Sequence, residues 1–252
     1  MALASCAEDM LLLNIGAPPP GFNEYYGKYL DDGGIPILGS SHVSDVSFGL
    51  VARIVDHMLS RRPDVRENLI KQHTQVSILG VEEKYTEIPE MRKWKGKTVP
   101  IGDRRTFDEV RGGGAVKDNP VTVTCERNLC GIRDPYLNHG FSVTIHEFAH
   151  SIQNLGLSEG ERIEIRNAYQ QALASRLYKR PNGENAYILS DEFEYFAGGT
   201  DLWFGTYETV NPWSDPSLSG RDSLRTRDPL LYEILSHIYP NDDWRPPSPP
   251  AQ

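Results

Sequence analysis

The sequence predicts one α+β domain, with a small sheet early in the chain and a mostly helical C-terminal half. Two short runs rich in β-branched residues, QVSILGV and PVTVTCE, are typical of strands. The later part of the chain carries apolar residues at the three- and four-residue spacing of amphipathic helices. Because no internal repeat or long linker divides the 252 residues, a single domain is the simplest interpretation.

The helices are placed by apolar spacing and by residues that start or stop a helix. We predict helices over 46–59, 141–157, 158–177, 190–197 and 228–239. Pro63 follows the first helix, and Gly156 is expected to end the second. Ser158 and Glu161 form a capping-box pattern at the start of the third. The pair Gly198–Gly199 is expected to stop the fourth.

Both ends of the chain are predicted to be irregular. The N-terminal segment, 1–42, contains GAPPPGF and DDGGIP, and its prolines and glycines interrupt any periodic pattern. The tail, 241–252, contains WRPPSPPAQ and is predicted to be extended or disordered. The functional domain is therefore expected to span 43–240.

Composition limits the kinds of partner. The formal net charge is −9 and the basic residues are scattered, which argues against nucleic acid, since phosphate binding needs clustered Lys and Arg. No apolar run approaches the ~18 residues that cross a bilayer, so no membrane span is expected. The first basic residue is Lys28, and the start of the chain lacks the charged region of a signal peptide. We expect a secreted or extracellular protein from which such a signal has been removed.

The three cysteines are too few for a disulfide scaffold. Cys125 and Cys130, in CERNLC, are close enough along the chain to form one bridge, which would leave Cys6 unpaired. Buried free thiols are an equal alternative.

The stretch TIHEFAH carries the strongest chemical signal. His146 and His150 are four residues apart, so both lie on one face of the predicted helix and can bind one metal ion. Glu147 stands about 100° around the helix from His146, where a general base for a metal-activated water must stand. The alternative is an ordinary helix with two histidines at its polar edge. The apolar neighbours Phe148 and Ile152 argue against it, because they would bury unligated imidazoles.

A catalytic zinc site needs a third protein ligand, and two carboxylates farther along the chain qualify. Gln153 and Gly156 exclude the class in which a third histidine follows the motif directly. Glu194 lies on a predicted helix, whereas Asp201 lies in GTDLWFG, a loose match to the signature of aspartate-liganded zinc peptidases. We prefer Glu194 as the ligand and Asp201 as an acceptor for a ligand imidazole. Glu194 could instead belong to a capping box with Asp191.

The order HEFAH, then Tyr187, then Glu194 within EYFA resembles the catalytic domain of anthrax lethal factor and the Pro-Pro endopeptidases. These are gluzincin zinc metallopeptidases, so the resemblance, which covers about 120–200, implies a zincin-like fold. It also implies His146, His150 and Glu194 as the zinc ligands. Glu147 is then the general base, and Tyr187 donates a hydrogen bond to the transition state. The sequence departs from lethal factor at Gly198, where that protein has a second glutamate.

These observations predict a zinc-dependent endopeptidase acting on a peptide or protein substrate. NPVTVTCE suits either the edge strand on which gluzincins hold an extended substrate or an ordinary strand. RGGGAV could let a substrate backbone approach closely or form a flexible turn. Tyr187 could instead be a core aromatic residue. Two other functions stay open: an inactive module that only holds zinc, and a zinc hydrolase of a non-peptide amide or ester.

Overall fold

The computed structural model describes residues 13–99, 105–134, 137 and 140–247. Within them, a four-stranded sheet follows the chain order β1-β2-β3-β4. Its strands are β1 (Lys28–Asp32), β2 (Ile35–Gly39), β3 (Gln75–Leu79) and β4 (Val121–Cys125). β1 and β2 are antiparallel, whereas β2, β3 and β4 are parallel. The predicted strands QVSILGV and PVTVTCE therefore lie side by side, with Val76 opposite Thr122.

The prediction of an irregular N-terminal segment is wrong for residues 28–39. The glycines of DDGGIP make the turn of the β1–β2 hairpin, where Gly33 and Gly34 have φ of 57° and 92°. Ile35 and Ile37 of β2 are fully buried, which fixes the hairpin on the core. The domain consequently begins before residue 43. Residues 13–27 form only isolated bridges and turns, and 1–12 lie outside the described residues.

The helices occupy the positions that the apolar spacing predicts, with additional short ones. They are α1 (Asp45–Leu59), α2 (Pro63–Lys71), α3 (Glu126–Leu129), α4 (Val143–Ser151), α5 (Glu159–Ala174), α6 (Glu192–Phe204), α7 (Gly220–Arg227) and α8 (Pro229–Ile238). A π-helical turn, Ile152–Gly156, continues α4. The first helix ends at Leu59, and Pro63 begins the next one, α2. Proline is favoured at this first position because the N–H that it lacks would have no partner within the helix. The two helices α1 and α2 form the crossover that the parallel pairing of β2 and β3 requires.

The predicted capping signals act as expected at α5, where Ser158 and Glu161 form a reciprocal capping box. The predicted stop at Gly198–Gly199 is wrong, because α6 continues to Phe204 and ends at Gly205, whose φ is 73°. A Cβ at Gly198 would lie 2.8 Å from Ile188 Cγ1, and one at Gly199 would lie 2.5 Å from Leu231 Cδ2. The two glycines therefore serve close packing against neighbouring segments and do not terminate the helix.

The core places α4 between the sheet and α6. Ile145 and Phe148 of α4 are fully buried, as are Phe196 and Trp203 of α6. The two helices contact each other directly, and α4 also contacts β4. This packing confirms the predicted α+β fold, with the early sheet on the histidine-bearing helix.

The tail is attached to the domain through an aromatic contact. Residues 241–247 contain no helix or strand, as predicted, but the Trp244 ring stacks on His57 with centroids 4.0 Å apart. Trp244 also meets Phe204 edge-on at 5.7 Å. Residues 248–252 lie outside the described part of the chain.

Cys125 and Cys130 are both free thiols and not a bridge, although only Cys125 is buried and Cys130 is partly exposed. Cys6 lies outside the described residues. Among the described helices, none is both long enough and apolar enough to cross a membrane.

Candidate metal centre

Three predicted ligand side chains come together where α4 meets α6. One ligand atom from each of His146, His150 and Glu194 can be chosen so that all three lie within 4.8 Å of one another. His146 Nε2 lies 3.2 Å from Glu194 Oε2, and His150 Nε2 lies 3.8 Å from Glu194 Oε1. The arrangement follows from sequence spacing, because residues four apart share a helix face and α6 crosses that face with its first turn.

The carboxylates of Asp191 and Glu194 have different contacts at the start of α6. Asp191 is the N-cap residue, and its Oδ1 accepts from the N–H groups of Phe193 and Glu194. The Glu194 side chain makes no capping contact and points instead to the histidines. The capping alternative for Glu194 is therefore wrong, since Asp191 caps the helix alone.

Asp201 contacts the cluster only through the far side of the His146 ring. Its Oδ2 accepts a hydrogen bond of 2.8 Å from His146 Nδ1, and its Oδ1 accepts one of 3.2 Å from Thr206 Oγ1. A proton held on Nδ1 leaves Nε2 of His146 facing the cluster, with its lone pair available to a metal. This geometry matches the predicted role of Asp201 as an acceptor for a ligand imidazole.

Tyr187 also touches the cluster. Its hydroxyl donates a 2.9 Å hydrogen bond to Glu194 Oε1, and its backbone N–H donates to Trp213 O at 2.7 Å. The side chain lines an open cleft, so the alternative of a core aromatic residue does not describe it. Its hydroxyl therefore joins the cluster at the wall of the cleft.

The charges of the cluster fit a cation. Glu194 Oε2 is buried and has no hydrogen-bond partner, because the approach of His146 Nε2 lacks hydrogen-bond alignment. Burial opposes ionisation of Glu194, but the adjacent His146 imidazole lowers its pKa to about 2. A buried ionised oxygen without a donor is costly unless a positive charge stands against it. The donor set of two imidazoles and one carboxylate suits zinc.

The two imidazoles differ electrostatically. Burial and the neighbouring His146 lower the pKa of His150 to about 4, so its ring is neutral at pH 7 and able to bind a metal. Burial also disfavours a charged His146, but the Asp201 and Glu194 carboxylates raise its pKa well above the usual value. A proton on His146 and a metal ion would therefore compete for the same negative field.

Glu147 lies beside the ligands and contacts the glycine segment. Burial raises the pKa of Glu147 to about 7, although the charge of His146 and a hydrogen bond from the Gly114 N–H favour its ionised form. A carboxylate whose pKa lies near neutrality can both take and return a proton. Glu147 lies next to His146 and lines the cleft, outside the group of three possible metal ligands.

The glycine segment of RGGGAV packs directly on α4. A Cβ at Gly112 would lie 2.6 Å from Glu147 Oε1, and a Cβ at Gly114 would lie 2.3 Å from His150 Cβ. Only glycine allows a backbone this close to the histidine-bearing helix. The pairing of Gly113 with Val123 argues against a flexible turn, and the approach of a substrate backbone to RGGGAV stays a prediction.

The same segment covers the outer edge of β4. Gly113 N–H donates to Val123 O at 3.1 Å, and Val123 N–H donates to Gly113 O at 2.7 Å. All five residues of β4 are buried, so NPVTVTCE is an interior strand there and not an edge open to substrate. Gly112, one residue before Gly113, lines the cleft.

A cleft of about 690 Å³ opens over the cluster, within the range of ligand sites. Its lining combines the residues described above with a later segment that no motif predicted: Tyr207, Glu208, Asn211, Pro212, Trp213 and Ser214. Sequence reasoning missed this segment because nothing in its local pattern distinguishes it from an ordinary surface loop. Gly198 also lines the cleft, and its contact with Ile188 leaves no room for the glutamate of lethal factor.

The fold and the His-His-Glu cluster together define a zincin-like arrangement, a class that the comparisons with known proteins make more specific. A family model described as "Anthrax toxin lethal factor, N- and C-terminal domain" matches residues 48–212. Since that match covers more than half of the sequence, the chain belongs to this family. This confirms the predicted resemblance.

A solved structure supports the same fold. The chain is similar to the Pro-Pro endopeptidase PPEP-2 from Paenibacillus alvei, with a TM-score of 0.54 and 18% sequence identity. The match covers 81% of this chain and 97% of that one. At this identity the likeness establishes the fold alone. No curated protein sequence matches the chain significantly.

Proposed function

We propose that this protein is a zinc-dependent endopeptidase. The observation that carries the proposal is the convergence of His146, His150 and Glu194, with Glu194 Oε2 buried and without a hydrogen-bond partner. Membership of the lethal factor family supports peptide hydrolysis as the reaction. Zinc held by these three residues would act as a Lewis acid that activates a water molecule and polarises the substrate carbonyl.

The chain's own residues would divide the remaining work. Glu147 would accept a proton from the attacking water and deliver it to the leaving amine. Tyr187, whose hydroxyl donates to Glu194 in the free protein, would donate to the oxyanion that develops on the substrate. Asp201 would hold the His146 ring in one tautomer.

The substrate would lie extended along the cleft. Gly112 presents backbone groups at its wall, and main-chain pairing there would hold a peptide without demanding a particular sequence. Because the similar solved protein is a Pro-Pro endopeptidase, peptides containing Pro-Pro are a reasonable first substrate set. The family is described by a toxin, and on that basis we propose an extracellular site of action.

Turnover of an unstructured protein and of a peptide library tests the proposal. We expect cleavage that a chelator abolishes and added zinc restores. Glu147→Gln is the matched control, since it keeps the shape of the side chain and should bind zinc without turnover. Zinc uptake without any cleavage would make the protein a binding module, and turnover of esters alone would make it a non-peptide hydrolase. Failure to take up zinc would remove the basis of the proposal.

A further inference from the structure

One wall of the cleft carries a carboxylate that the proposed chemistry does not use. The segment Tyr207–Ser214 follows the end of α6 and supplies several lining residues, among them Glu208. Glu147 is the proposed base, Glu194 the proposed ligand and Asp201 the acceptor for His146. Glu208 has none of these roles and lies beyond hydrogen-bond contact with all three.

The Glu208 carboxylate is held in place but only half satisfied. Asn211 Nδ2 donates to Glu208 Oε2 at 3.2 Å, whereas Glu208 Oε1 is buried and has no hydrogen-bond partner. Desolvation raises the pKa of this carboxyl, so the free protein tolerates its charge poorly. An unsatisfied oxygen in a cleft wall indicates a donor that arrives with a ligand. The terminal torsion of glutamate is broad, and Glu208 lines the cleft, so a rotation about this torsion is the movement by which Oε1 would meet such a donor.

The same turn presents an aromatic ring. The backbone N–H of Trp213 donates to Asn211 Oδ1 at 2.9 Å, so Asn211 contacts both Glu208 and Trp213. About half of the Trp213 side chain is exposed, at 52%. Arg180 fixes the ring from the other side, with its guanidinium carbon 4.2 Å from the ring centroid and its Nε donating to Pro212 O at 3.0 Å. These contacts hold the ring beside the carboxylate. The backbone of Trp213 is held as well, because its carbonyl oxygen accepts from the Tyr187 N–H.

We infer that this wall is a subsite for a positively charged group of the substrate, which Glu208 pairs with and Trp213 packs against. A carboxylate with a free oxygen recognises an ammonium or guanidinium group, and an aromatic surface packs on the aliphatic stem or the cation itself. The inference rests on the proposed peptidase function and adds the substrate class to it. The cation is assigned to a Lys or Arg side chain, and a free N-terminus is the other source of the same chemistry.

The test uses a peptide that the wild-type protein cleaves, varied one position at a time. Each position receives Lys, Gln or Glu, and every peptide is made with a free and with an acetylated N-terminus. We expect one position at which Lys raises kcat/KM about 10- to 100-fold over Gln, whether or not the N-terminus is acetylated. Glu208→Gln, which keeps an acceptor for Asn211, should remove that preference, so that the Lys and Gln peptides have the same kcat/KM.

Two further variants sharpen the result. Glu208→Lys should favour Glu over Lys at the same position, which loss of folding could not produce. Glu164→Gln, an exposed change on α5, is the matched control and should keep the wild-type preference. Trp213→Ala should raise KM for the Lys peptide more than it lowers kcat. A preference for Lys that survives Glu208→Gln would overturn the assignment, and a preference that requires a free N-terminus would move it to the α-amino group and overturn the side-chain assignment.

A binding measurement separates this inference from the proposed function. Zinc-loaded Glu147→Gln protein should bind the Lys peptide more tightly than the Gln peptide, and the double variant with Glu208→Gln should bind both equally. If the wild-type protein cleaves nothing, the peptidase proposal fails, yet this comparison still decides the role of Glu208. Equal binding of both peptides by the Glu147→Gln protein would overturn the subsite.

Discussion

Gly112→Ala should reduce catalysis more than it reduces folding. The added Cβ would lie 2.6 Å from both Glu147 Oε1 and Val143 Cγ1, whereas ordinary contacts begin at 3.4 Å. The glycine segment and Glu147 must therefore separate by about 0.8 Å, the difference between these two distances. The segment itself is tied to β4 by two hydrogen bonds at Gly113, so the Glu147 side chain is the part that moves.

A displacement near 1 Å of a group that must meet the reacting atoms costs about 100-fold in rate. We therefore expect kcat to fall on the order of 100-fold, with KM changed far less. Overpacking should also lower the free energy of unfolding by about 1–3 kcal/mol. The zinc content should stay at the wild-type level, because the new methyl group meets Glu147 and Val143, neither of which is a proposed ligand.

The assay compares kcat, KM, zinc content and urea unfolding for three proteins: wild type, Gly112→Ala and Gly16→Ala. Gly16 is the matched control, since a Cβ there meets no atom within 4 Å. Undiminished kcat in a folded Gly112→Ala protein would refute the reasoning that this glycine positions Glu147. Loss of zinc would show that the whole helix α4 moved, and would also refute it.

Three other predictions concern the ligands and the stability of the fold. Glu194→Ala should abolish zinc binding, whereas Asp201→Asn should retain zinc with affinity about 10–100-fold weaker, as measured by competition with a chromogenic chelator; the reverse pattern would make Asp201 the ligand. Asp228→Ala should lower the free energy of unfolding by about 3 kcal/mol, because Tyr178, Tyr195 and the Leu231 N–H all lose their buried acceptor, and an unchanged urea midpoint would contradict this. Burial raises the pKa of Asp32 to about 7, above its value in the unfolded chain, so its contribution to stability should fall as the pH rises from about 4 to 7. Asp32→Asn should remove that fall, whereas Asp31→Asn should not. Identical pH profiles of stability for wild type and Asp32→Asn would refute the assignment.

Local signals in the sequence predicted what lies within one element. The spacing of His146 and His150, the capping box at Ser158 and the two central strands all follow from periodicity or from hydrogen bonds a few residues apart. The resemblance to lethal factor implied that Tyr187 and Glu194 both lie beside the cluster, where the hydroxyl and the carboxylate are 2.9 Å apart.

The errors arose where packing between distant segments decides. Gly198–Gly199 looks like a helix stop, but the space that these residues leave is filled by Ile188 and Leu231. The edge of β4 looks open from its own sequence, but Gly113 pairs with Val123. The segment containing Glu208 and Trp213 lines the cleft, although it follows the end of α6 at Phe204 and not the glycine pair where a stop was predicted.

The stacking of Trp244 on His57 and Phe204 has a practical meaning for anyone who expresses this domain. Proline-rich ends are often trimmed to aid crystallisation, and a fragment cut before residue 244 would uncover the side chains of His57 and Phe204. Of these two side chains, His57 belongs to the last turn of α1 and Phe204 is the last residue of α6, and a fragment that exposes both should aggregate more readily than the full chain. Affinity tags are better joined after Pro247, which leaves the aromatic contact in place.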